Sequence, residues 1–279
     1  MAELSVPPEL EREIFETTAA KFPKSIPALL RVARRVHIWI EPLLYRVIQL
    51  DDDSDLENAV FRAMKRNDAP EFFHRAVHHL VLQSDGRGPN VLQLLSLCTG
   101  LREFGCMNSL ANHTMLPILA EMRDLRRMCC SLASLFGSVE SIDIKHPVLQ
   151  SITHLDVFDD NCWNLLGPVL QLPTLTHLCF NKNHWETLAR DGLPVAAADC
   201  PALQILLFQW PAGSESHKHY DSIKEPRLYD LPVVVGLYDE YWAEMEAEAR
   251  GCLKFWAEAD DFISRRRKGD IEATRFWIH

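Results

Sequence analysis

One short pattern recurs along this chain and restricts its fold more than any other feature. The order apolar-x-x-apolar-x-apolar occurs as VHHLVL from Val77, LREFGC from Leu101, LRRMCC from Leu125, ITHLDV from Ile152, LTHLCF from Leu175 and LQILLF from Leu203. Successive starts lie 24, 24, 27, 23 and 28 residues apart, and YRVIQL from Tyr45 fits the same template 32 residues before the first. Helix-like stretches such as NVLQLLSL, TMLPILAEM and NCWNLLGPVLQL separate the matches. Several end in a turn residue or proline just ahead of the next match, as in LCTGLREF, QLPTLTHL and DCPALQIL. A strand-helix unit this small cannot bury its own apolar face, whereas several stacked in a row can.

The steps fall within the 20 to 29 residues of a leucine-rich repeat. The polar position that closes a regular repeat is here Asp85, Ser109, Ala133, Asp160, Asn183 and Pro211, so an irregular solenoid is expected, with SVESIDIKHP as a further short strand. The runner-up is an ordinary α/β domain on a parallel sheet, which the same alternation also produces.

Strand alternation assigns the faces. With Leu80, Phe104, Met128, Leu155, Leu178 and Leu206 turned to the core, the solvent-facing inner wall carries three rows. His79, Glu103, Arg127, His154 and His177 form the first; Val81, Gly105, Cys129, Asp156, Cys179 and Leu207 the second; Gln83, Met107, Ser131, Phe158, Asn181 and Gln209 the third. This mixture of apolar, aromatic and polar groups suits a protein-binding face. Its candidate substrate-binding residues are His79, Arg127, His154, Phe158, His177 and Asn181.

The chain opens with VPPELEREIFETTA. Pro8 fits the first position of a helix, where a missing N–H is harmless, and Glu9, Glu11 and Glu13 favour its positive end. Leu10, Ile14 and Phe15 make an apolar stripe on a helix too short to stand alone, so the stripe docks on something. The run from Val6 to Leu50, with its Pro-Glu-Leu opening, Ile-Phe pair and LLRVARRVHIWIEPLLY, resembles a short F-box. The whole chain is similar to basidiomycete F-box-like proteins with degenerate leucine-rich repeats. That resemblance implies docking of a Skp-type adaptor through Pro8, Leu10, Ile14, Phe15, Leu29, Leu30, Val36 and Trp39, with Val32 beside them. It also implies membership of an SCF-type ubiquitin ligase whose scaffold and chemistry come from partners, and a fungal origin. The stripe has a second possible occupant, the first repeat of the chain itself.

At the other end, Trp242, Met245, Ala249, Cys252, Trp256, Ala259 and Ile263 alternate by three and four residues. This predicts one helix from about Tyr238 to Lys268 that caps the solenoid. Gly251 weakens it by about 1 kcal/mol. The basic run Arg265–Lys268 suits its C-terminal end, and RFWIH is an aromatic anchor or an exposed tag.

Other chemistry is sparse. His74 and His78 are four apart, as in a helical metal pair, without an evident third ligand; His217, His219 and Asp221 share a Gly/Ser loop. Cys129–Cys130 with His154 is the one thiol-and-base pairing on offer. Neither a phosphate-binding loop, a nucleophile elbow nor a zinc-protease motif occurs. With 29 basic against 39 acidic residues and a net charge of −10, a general nucleic-acid surface is not expected. Nor is a signal peptide or membrane span, and eight scattered cysteines read as reduced thiols of the cytoplasm or nucleus.

The expected fold class is α/β: an F-box-like helical module over residues 1–50, an irregular leucine-rich-repeat solenoid over 51–235, and a long C-terminal capping helix and tail over 236–279. The expected function is non-catalytic, without metal or cofactor: a substrate-recognition adaptor that binds a Skp-type adaptor and a protein substrate. The alternative is a free-standing interaction scaffold whose F-box no longer docks.

Overall fold

Each of the seven template matches forms a four-residue or longer strand starting two residues into the pattern. These are β1 (Val47–Leu50), β2 (His79–Leu82), β3 (Glu103–Cys106), β4 (Arg127–Cys130), β5 (His154–Val157), β6 (His177–Phe180) and β7 (Ile205–Pro211). An eighth, β8 (Val233–Tyr238), has no counterpart in the expected repeats. The computed structural model describes residues 6–51, 55–83, 89–159, 162–181, 200, 202–213, 228–251 and 255–278. Its strands make one sheet in chain order, β1 to β8, every pair parallel. The register places His79, Glu103, Arg127, His154, His177 and Ile205 side by side.

Helices pack on both faces. On one lie α4 (Asp55–Ala63), α5 (Ala69–Ala76), α6 (Pro89–Leu97), α7 (Leu116–Ala120), α8 (Leu132–Phe136) and α9 (Cys162–Val169), over a core that includes Leu80, Phe104, Met128, Leu155, Leu178 and Leu206. On the other lie α10 (Tyr241–Ala249) and α11 (Phe255–Lys268), where Trp256, Ala259, Phe262 and Ile263 bury Cys179, Ile205, Leu207 and Val234. Strands covered on both faces read as near-continuous apolar runs, which is how ILLF of β7 and VVVGLY of β8 read. Before these strands, α1 (Pro8–Lys21), α2 (Ile26–Leu29) and α3 (Arg34–Leu44) close a small core of Ala19, Ile26, Val36 and Ile40.

The fold therefore corrects the expectation. The chain does not form an F-box-like module followed by a leucine-rich-repeat solenoid with a long C-terminal helix. It forms an α/β structure on a single eight-stranded parallel sheet, closer to the runner-up. The physical reason is the C-terminal segment. It doubles back over the face expected to be an open inner wall and buries it. Nor is that segment one helix: Gly251 takes a left-handed φ of 75° between α10 and α11, a backbone that only glycine adopts freely. SVESIDIKHP holds a short 3-10 turn, Val139–Ser141, in place of a strand. Phe276 and Trp277 fasten the chain end to β8, with Val235 N bonded to Phe276 O at 2.8 Å. Arg266 of the basic run is buried and donates to the carbonyls of Val233 (2.9 Å), Arg275 (3.2 Å) and Leu231 (2.5 Å). Among the described residues no helix is long and apolar enough to cross a membrane.

Candidate functional site

Two groups of residues stand out: the apolar surface of the first three helices, and a polar layer sealed between the sheet and α10–α11.

The first arises because α1 and α3 have more apolar residues than their small core can accept. Arg35 of α3 grips Glu11 of α1 with two parallel hydrogen bonds of 2.7 and 3.0 Å, fixing the pair, and holds that carboxyl below its ordinary value. Of the residues expected to dock an adaptor, Pro8, Leu10 and Ile14 are exposed, Leu10 by 51% and Ile14 by 57%. Phe15, Leu29, Leu30 and Trp39 are half-buried against the small core, and Val36 lies fully inside it. Val32 is exposed. Sequence reasoning missed Val6, Phe22, Ile38 and Leu44, which are exposed too. Among the described residues, seven of the eight exposed large apolar side chains, all but Met107, thus lie in the first 44 residues. The missed four could have been found as apolar residues lying off the stripe that packs inward.

The second group contains the candidate substrate-binding row. His79 Nδ1 lies 2.9 Å from Glu103, and Arg127 reaches Glu248 of α10 at 3.1 Å and Glu103 at 3.9 Å. His154 and His177 stack with ring centres 4.0 Å apart, both edge-on to Trp256, and His177 Nε2 lies 3.2 Å from Asp260 of α11. Phe158 packs edge-on against Tyr241 and Trp242, and Asn181 accepts a long 3.8 Å contact from Cys179. The sheet thus brings His79, Arg127, His154 and His177 into one row. Of the rest of the expected wall, Gly105, Cys129 and Asp156 lie beneath α10, Cys179 and Leu207 beneath α11, and Met107 stays exposed.

At the centre Tyr241 donates to Asp156 at 2.5 Å while its oxygen lies 2.9 Å from the Cys129 thiol. A narrow cleft lined by these three, Glu103, Arg127 and Glu248 has room for little more than a water molecule. Burial raises Asp156 to about 7. It does the same to Glu248, against the pull of Arg127. Burial also raises Cys129 and Tyr241 well above their ordinary values, with the Asp156 charge adding to both. His154 is drawn down to about 3 by burial, then by His177 and Arg127. The thiol-and-base pairing that the sequence offers, not expected to be catalytic, is not assembled. Cys129 bonds Tyr241 and stays a neutral thiol, His154 is a neutral ring bonded to Thr153, and Cys130 lies in the opposite core. What this layer can do is hold or release protons on two carboxyls near neutral pH while it ties α10 to the sheet.

His74 is bonded to Thr99 at 2.9 Å, and no group of three metal-binding side chains forms among the described residues. His217, His219, Asp221, Cys252, Asn183 and Asp160 lie outside the described residues. Comparison with protein-family models and with curated proteins finds no match to this chain.

Proposed function

We propose that this chain is a protein-docking subunit that brings a protein substrate to an SCF-type ubiquitin ligase, seating a Skp-type adaptor on α1 and α3. One observation carries the reading: among the described residues, seven of the eight exposed large apolar side chains fall within residues 6–44, four of them on α1 and α3 and three in the segments beside them. Scattered single apolar residues need no explanation, whereas their concentration in one short helical segment favours a docking surface. The F-box resemblance of residues 6–50 names the partner whose groove such helices enter. The substrate meets a surface other than the covered sheet face, which α10 and α11 occupy.

The second reading, a free-standing scaffold without adaptor docking, draws on Val36, Phe15 and Trp39, which serve the small internal core. A pull-down with a purified fungal Skp-type adaptor separates the two, run beside a Leu10→Asp, Ile14→Asp variant. Both positions are exposed, so the variant is expected to keep the parent's thermal midpoint and lose the adaptor. Failure of the parent itself to bind the adaptor would leave the scaffold reading.

A further inference from the structure

A second cleft, of about 290 Å3, opens at the amino ends of the first strands, between the sheet edge and the N-terminal helices. The residue just ahead of each strand lines it: Arg46 before β1, His78 before β2 and Arg102 before β3. Backbone bonds hold these in register, His78 N to Arg46 O at 3.0 Å and Arg102 N to His78 O at 2.8 Å. Neighbouring strands lie about 4.8 Å apart, so both guanidiniums rise from within about 10 Å of one another.

Among the described residues the Arg46 guanidinium makes one hydrogen bond, Nε to the His78 ring at 3.5 Å, and Arg102 forms no ion pair. His78 sits between them as a neutral ring, drawn down to about 4 by burial and by the two guanidinium charges. The cleft's other basic side chains are engaged, His79 with Glu103 and Arg250 with Glu246. No aspartate or glutamate among the described residues lines it. In a chain with ten more acidic than basic residues, two adjacent cations facing a cavity without a carboxylate are an unbalanced charge. Ala19 and Ile26, from the small core of the first helices, add apolar lining to the cleft.

We propose that this cleft binds a phosphomonoester, its dianion held between Arg46 and Arg102 and its organic part lying against Ala19 and Ile26. A planar guanidinium fork matches two oxyanion oxygens at once, and two forks match a dianion better than a single carboxylate. The cavity is several times larger than a phosphate group, which leaves space for what the phosphate is attached to. None of the exposed apolar residues that carry the adaptor reading takes part, so either proposal can fail without the other.

Calorimetric titration of the full chain with phenyl phosphate at low ionic strength tests it. Saturable binding is expected, weakened about tenfold or more by Arg46→Gln or by Arg102→Gln. Arg126→Gln, the next basic residue in the same register but outside the cleft, is expected to bind like the parent. Benzyl alcohol, which lacks the charge, is expected not to bind. A short phosphoserine peptide run in parallel identifies the source: tighter than phenyl phosphate, the phosphate arrives on a protein side chain; weaker, on a free small molecule. Matching near-ultraviolet circular dichroism of all variants excludes unfolding. Absence of saturation by either ligand up to about 10 mM, or binding indifferent to both arginine substitutions, overturns the proposal.

Discussion

Asp159 shows how much of this fold hangs on single polar side chains. Its buried carboxylate accepts from Ser131 Oγ at 2.7 Å, Leu132 N at 2.7 Å and Ala133 N at 2.9 Å, which are the free donors at the start of α8. Removing it leaves two backbone N–H groups without a partner in a dry place. Asp159→Ala is therefore expected to lower the unfolding free energy by about 3 kcal/mol, read from the urea midpoint at unchanged slope. A loss below about 1 kcal/mol would mean that water replaces the carboxylate. Sequence reasoning came one residue short of this group. It assigned the closing polar position of that unit to Asp160, because a repeat template counts residues from the strand and does not see where a helix needs an acceptor. The same limit hid Tyr241 and Glu248, and the role of Asp156, which alternation placed only on the inner wall. Their partners lie 85 or 121 residues away in the chain, and a pairing set by tertiary contact leaves no local pattern.

Among elements, the strands were legible and the covering of the sheet was not. A four-residue strand announces itself by where its apolar residues fall, and all seven template matches became strands in the register that alternation predicts. VVVGLY was missed because it lacks the spaced pattern, and the helix beyond it was drawn through Gly251 because heptad spacing carries across a single break. Which face α10 would cover could not be read from periodicity. Gly105 distinguishes an open wall from a covered one. A Cβ there would lie 3.1 Å from Trp242, 3.3 Å from Val81 and 3.4 Å from Met245. On an open wall Gly105→Val would be neutral or stabilising, since valine favours strands. Under α10 it is expected to be destabilising by about 1–3 kcal/mol, with a changed tryptophan emission as Trp242 is pushed from its seat. Unaltered emission and stability would place α10 away from the sheet.

The molecule as a whole balances two opposite responses to pH, both seated where helices meet the sheet. Asp156 and Glu248, raised to about 7, keep protons that the unfolded chain releases near pH 4. Their contribution is complete below that range and is lost as pH rises towards 7. His154 and His78, lowered to about 3 and about 4, and His177, lowered likewise, stay neutral where the unfolded chain takes up protons below about pH 6.5. Their contribution is complete above about 6.5 and is lost as pH falls. Between about pH 4 and 6.5 the two sets oppose each other, which flattens the stability of the parent chain. Asp156→Asn removes one member of the first set while its amide oxygen still accepts from Tyr241. At about pH 3, where the parent's Asp156 is protonated in the folded chain and mostly so in the unfolded one, the variant is expected to match the parent. At about pH 7.5 it is expected to be more stable by roughly 2–4 kcal/mol, because it no longer carries a carboxyl whose ionisation burial opposes. Its stability should then climb with pH between those points, with the histidines less opposed. Urea unfolding at both pH values measures this directly. An equal difference from the parent at acid and neutral pH would mean that Asp156 does not change its proton on folding, and that the tie between α10 and the sheet is indifferent to pH.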